Sequence, residues 1–128
     1  MSTPQPVQTI TKGTAYIGRI LVSTATGIVA DLRQTQANAT PLTAQINRVT
    51  TVANSGDAVK LPYGSAGGAV TIINDGDNPT SVFPADPGDT IDGGATGGYV
   101  TLTNGNRAIF HCISTGIWIS TLLGAPSS

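Results

Sequence analysis

Residues 69–84 constrain the fold more than any other stretch. They run Ala69-Val70-Thr71-Ile72-Ile73-Asn74-Asp75-Gly76-Asp77-Asn78-Pro79-Thr80-Ser81-Val82-Phe83-Pro84. Val70, Thr71, Ile72 and Ile73 are β-branched, and such side chains suit a pleated surface better than a helix. Residues 74–79 are a run of turn formers with Asp-Gly inside it. Val82 and Phe83 resume the apolar pattern, and Pro84 marks an edge strand or a strand end. The expectation is a β-hairpin in a β fold. The stretch carries no catalytic constellation.

The rest of the chain is written in the same alphabet. Charged residues make up only 10% of the 128 residues, Glu is absent, and Lys occurs only at Lys12 and Lys60. Helices are thus deprived of their usual surface residues, because Glu and Lys are good helix formers and Thr, Asn and Gly are not. Burying such a surface costs little side-chain entropy, since Lys, Glu and Arg are the costly residues to immobilise. Low charge also leaves self-association less opposed. Composition therefore favours an assembly role over a free monomer.

Several function classes fall away. The net charge is −1 and the six basic residues are scattered, unlike the basic footprint of a nucleic-acid binder. No apolar run approaches membrane-spanning length. The N-terminus lacks the basic and then apolar run of a signal peptide. A single cysteine, Cys112, excludes an internal disulfide framework; its apolar surroundings predict a buried structural thiol.

Taken in order, residues 1–14 read as an extended polar arm. Residues 15–22 are the first strand candidate, with apolar side chains on both faces, a pattern of burial on both sides. Residues 28–32 follow a turn at 23–27 as a possible hairpin partner, and 33–41 form a polar linker. Residues 42–53 alternate, with a break in register that a bulge near Asn47-Arg48 would explain. Short strands are expected at 58–61, 90–92, 99–103, 106–113 and 117–122. Asn104-Gly105 is the strongest two-residue hairpin signal. No tandem repeat of fixed period is found. Many short strands with turn signals between them predict an all-β fold, a small antiparallel β-sandwich or barrel of jelly-roll type with an extended N-terminal arm. The domain reading is residues 1–40 as arm and short hairpin, 41–123 as the β domain, and 124–128 as a tail.

Candidate chemistry is sparse. Asp75, Asp77, Asp86, Asp89 and Asp92 cluster in sequence, and calcium takes several oxygen ligands. No Glu is present to close a bidentate site, and Asp, Asn, Gly and Pro mark turns for backbone reasons. His111 is the only histidine and has no nucleophile-elbow sequence near any serine. Trp118 and Tyr99 could offer a sugar-stacking platform, but a lone Trp near a C-terminal strand is more often a core or interface anchor. No enzyme, cofactor or metal is expected.

The segment 40–120 nevertheless resembles a recurrent domain of tailed-bacteriophage and prophage virion proteins. The residues that carry the resemblance are Leu42-Thr43-Ala44-Gln45-Ile46-Asn47-Arg48-Val49-Thr50-Thr51-Val52-Ala53 and Val59-Lys60-Leu61-Pro62. Val70-Thr71-Ile72-Ile73-Asn74, Val82-Phe83-Pro84, Asp89-Thr90-Ile91-Asp92 and Gly116-Ile117-Trp118 continue it, so that it covers about two thirds of the chain. The resemblance implies a capsid decoration (cement) or head-fibre protein. Such proteins are β-rich and often trimeric, and they occupy the outer capsid surface after synthesis in the host cytoplasm. The partners it implies are the major capsid protein and two further copies of the chain, with no nucleic acid and no membrane. Residues 1–40 fall outside the match and become the capsid or subunit contact, with Tyr16, Ile17, Arg19, Leu21, Ile28, Leu32 and Arg33 as its candidate residues. The alternative is a receptor- or glycan-binding tip domain of a phage fibre, working through Trp118, Tyr99 and the Asp-rich loop.

Overall fold

The computed structural model describes residues 21–124. The described chain is all-β, with ten strands in two sheets and no helix among the described residues. Three successive strand pairs form a coil. β1 (Thr24–Val29), β3 (Ile46–Thr51) and β5 (Ala69–Asn74) lie side by side in the larger sheet. β2 (Thr40–Pro41), β4 (Ala58–Lys60) and β6 (Thr80–Phe83) lie side by side in the smaller one. The chain thus passes from sheet to sheet at every corner, and each turn of chain stacks in parallel on the one before it.

The chain then reverses. β7 (Thr90–Ile91) is a short edge strand, and β8 (Val100–Leu102) lies antiparallel beside β6. β9 (Arg107–Ser114) lies antiparallel beside β5, and β10 (Ile117–Gly124) returns along β9. β7 lies parallel beside the start of β10. The large sheet therefore has the order β1-β3-β5-β9-β10-β7 and the small sheet β2-β4-β6-β8.

This arrangement corrects the antiparallel jelly-roll expectation, although the β content stands. Five strand pairs are parallel and three antiparallel, in a solenoid-like stack. Residues 69–84 are indeed strand, turn, strand, but β5 and β6 belong to different sheets and form no hairpin. The same holds for Asn104-Gly105, which turns the chain from β8 in one sheet to β9 in the other. Alternation records which face a side chain takes, not which strand lies alongside. The hairpin that does exist is β9–β10, closed at Gly116 with φ of 76°.

The core lies between the sheets. The large sheet contributes Val49, Ile72, Phe110, Cys112 and Trp118; the small sheet contributes Val59, Val82 and Leu102; Leu42, Val52 and Leu61 plug the corners. A fully buried Val, Leu, Ile or Phe contributes roughly 1.5–3 kcal/mol. The large aromatics gather at one end, where Gly64 lets the backbone close over Trp118. A Cβ there would stand 2.9 Å from Trp118 Nε1 and 3.1 Å from Cys112 Sγ.

Buried side-chain amides shape the corners. The register break at residues 42–53 falls at the corner into β3, and the β1–β3 pairing is also irregular across Asn47–Thr51. Asn47 Nδ2 donates to Ala44 O at 2.8 Å and its Oδ1 accepts from Ala44 N at 3.2 Å, which bends the chain into β3. Asn74 does the same at the end of β5, donating to Asn78 O and Leu102 O and accepting from Gly76 N. Asn78 donates in turn to Val52 O and Ala53 O, tying the third rung to the second. Gly76 packs directly on Val52, and a Cβ would stand 2.7 Å from Val52 Cγ2. The buried amides of Asn47 and Asn74 are thereby paired, which removes a desolvation cost of about 1–3 kcal/mol per group.

Candidate functional site

The surface most able to engage a partner is the outer face of the large sheet. Along β9 the side chains of Ala108, Phe110 and Cys112 enter the core. Arg107, Ile109, His111 and Ile113 consequently point away from it, because successive residues of a strand alternate faces. On β10 the same parity sets Ile117 and Ile119 outward. Register places Ile119 opposite His111 and Thr121 opposite Ile109, with Ala69 and Thr71 of β5 on the other side of β9. Ile113 is 60% exposed, and Ile117, Ile119 and Leu123 are also exposed. The result is a patch of rigid β-branched side chains. Exposed contiguous apolar surface of this sort marks interaction sites, and rigid side chains lose little entropy when covered. The Nε of Arg107, at the patch edge, is buried without a hydrogen-bond partner.

A second surface lies at the first rung. Among the described residues β1 pairs with β3 on one side only and is an edge of the large sheet. Its register with β3 shifts around Ala25 and Ile28, where Gly27 has φ of 74°. Leu21, Val22, Val29 and Leu32 are exposed beside it.

The contact residues expected from the sequence divide between these places and the undescribed N-terminus. Tyr16, Ile17 and Arg19, and with them most of the strand expected at 15–22, lie outside the described residues. Leu21 is exposed just before β1, and Leu32 is exposed just after it. Ile28 is half-buried against the core, in a strand that pairs in parallel with β3. Arg33 is exposed and pairs with Asp31 at 2.9 Å. Its side-chain hydrogen bonds, a backbone hydrogen bond and its charge hold the Asp31 carboxyl below the ordinary carboxylate range.

Two of the five candidate aspartates hold the fold together. Asp75 accepts from Arg48 at 2.6 Å. Asp92 accepts from the backbone N of Ser120, fastening the segment after β7 to β10. Among the described residues no three His, Cys, Asp or Glu side chains gather in a way that could hold a metal. Trp118 is 1% exposed and belongs to the core, so it offers no stacking platform with Tyr99. Cys112 is buried as its surroundings predict.

Sequence reasoning passed over Gln34 and Asp57. Residues 31–39 fold over the outside of the small sheet, where Ala39, Ala58 and Phe83 form a small second cluster. Gln36 Nε2 fastens this strap by donating to Pro84 O. Gln34 takes a left-handed backbone with φ of 59°. Asp57, fully buried, accepts from Asn54 N and from Gln34 Nε2. Asp57 ends a run of turn formers, Asn54-Ser55-Gly56-Asp57, and its distinguishing mark in the sequence is the apolar run that follows it. No protein-family model, curated protein or solved structure matches the chain.

Proposed function

We propose that the chain is a structural virion protein of a tailed bacteriophage that decorates and stabilises the outer capsid surface as a homotrimer. The observation that carries this reading is the exposed isoleucine patch on β9 and β10. A freestanding monomer gains nothing from Ile113, Ile117 and Ile119 in water, whereas two further copies can cover them. The sequence resemblance supplies the virion context. The scarcity of charge supports close packing of many copies, and multivalent attachment lets each capsid contact be weak while the whole stays bound. The open β1 edge and the residues before it are the parts suited to the major capsid protein, since an exposed sheet edge can accept a further strand. No group in this reading performs catalysis.

Sedimentation equilibrium at micromolar concentration tests the assembly. The expected mass is that of three chains, falling to one in an Ile113→Asp, Ile119→Asp double variant. A monomeric parent protein defeats the trimer. Co-sedimentation with expanded capsids tests attachment, and a capsid pellet free of the protein defeats the decoration role.

A further inference from the structure

The outer face of the small sheet holds a cleft of about 290 Å³ between the strap, the corner before β4 and the edge strand β8. Gln34 and Ser55 form one wall, Tyr99 and Thr101 the other, and Ser81 lies at the base. We propose that this cleft binds one residue of a neutral saccharide.

Three features point to that ligand class. The first is neutrality. No charged side chain lines the cleft; the nearest, Asp57, is buried behind Gln34. The second is the mixture of an aromatic wall with hydroxyls and an amide. Tyr99 is 56% exposed, and its ring is braced against Phe83 at a centroid distance of 5.3 Å and a tilt of 56°. A braced aromatic face suits the apolar C–H side of a pyranose. The Ser and Thr hydroxyls both donate and accept, as sugar hydroxyls require. The volume is at the lower end of ligand pockets, the size of one sugar residue and not of an extended chain.

The third feature is preorganisation. Gln34 is held in a backbone region that non-glycine residues rarely occupy, a kind of strain that concentrates at ligand clamps. Its Nε2 donates to Asp57 Oδ1 at 3.3 Å, which fixes the orientation of the amide. Its Oε1 is thereby placed over Gly56, where a Cβ would stand 3.1 Å from it. An exposed glutamine side chain ordered in this way binds without first losing rotamer freedom. Gly56, with φ of 93°, leaves room for that amide, which a side chain there would crowd.

The inference does not depend on capsid attachment and is tested on the isolated full chain. The experiment is an amide NMR titration with the methyl glycosides of glucose, galactose and N-acetylglucosamine. Saturable shifts are expected at Ser55, Gly56, Tyr99 and Thr101 with at least one of the three. Tyr99→Ala and Gln34→Asn should each weaken binding about tenfold or more, and Thr101→Val by a smaller factor. All three positions are exposed, and an unchanged spectrum elsewhere establishes that the variants fold. Three results overturn the proposal: no saturable shift with any of the glycosides, shifts centred away from the cleft, or shifts undiminished in both Tyr99→Ala and Gln34→Asn.

Discussion

At the far end of the stack Trp118 and Phe110 are each 1% exposed, and the loop at Gly64 closes tightly over the indole. In the first rung Val29 and Leu32 are 52% and 59% exposed, and among the described residues it gives the core Ala30, Leu42 and part of Ile28, with no aromatic. Both ends belong to one continuous sheet, yet only one is anchored by buried aromatic side chains. A parallel stack has no built-in end, so its last rung must be finished by something. Here the antiparallel hairpin β9–β10, with β7 beside it, finishes one end. Among the described residues the other is a strand edge with apolar residues beside it. Among the described residues the core is thinner at this end than at the other.

The contrast yields ranked expectations. Trp118→Ala should be the most damaging change, costing about 3–5 kcal/mol as the transfer and cavity terms add. Urea unfolding measures it, and a loss under 1 kcal/mol would mean that the aromatic end is not the anchor. Asn74→Ala should come next at about 1–3 kcal/mol, because Leu102 O, Asn78 O and Gly76 N lose a buried partner together. The same urea series reads this out. In the first rung, Ile28→Ala should cost only about 1 kcal/mol, since the side chain is half-buried. Amide hydrogen exchange should accordingly be faster along β1 than along β9. Equal protection of the two strands would erase the distinction between the ends.

The smallest effect belongs to the exposed Asp31–Arg33 pair. The folded carboxyl titrates below its unfolded value, so whatever the pair adds to stability is present above the ordinary carboxylate range. It is lost as pH falls through the lowered folded pKa. Arg33→Ala should move the Asp31 titration back up toward the ordinary range with little change in unfolding midpoint. Carboxyl NMR titration follows the first and urea unfolding the second.

Much of the strand content was legible in the sequence. Runs such as Val70-Thr71-Ile72-Ile73 and Ala108-Ile109-Phe110 declare themselves through β-branching and alternation, and Trp118 and Cys112 declare their burial through apolar neighbours. Strand partnership was not legible, because a pleat records faces only. The coil was hidden by its unequal steps. Thr24 lies opposite Ile46 and Ile46 opposite Thr71, steps of 22 and 25 residues. Thr40 lies opposite Val59 and Val59 opposite Val82, steps of 19 and 23. A search for one fixed period cannot register such a stack. The cleft was hidden for a different reason. Gln34 is an ordinary polar residue in a polar linker, and its character comes from its backbone conformation and from a carboxylate 23 positions away.

The hairpin β9–β10 has a consequence for the order in which the protein comes together. Ser114 faces Ile117 across its turn, whereas every parallel pair in the coil joins residues separated by a whole circuit of chain. Closing a short loop costs less entropy than closing a long one, and pairings distant in sequence form slowly. Among the described strands the pairing cheapest to close is therefore the last in chain order. The expected order of assembly runs backward from it, β5 on β9, then β3 on β5, then β1. Lesions in the turn at Ser114-Thr115-Gly116 should slow refolding, while lesions in β1 should mainly hasten unfolding. Stopped-flow kinetics separates the two.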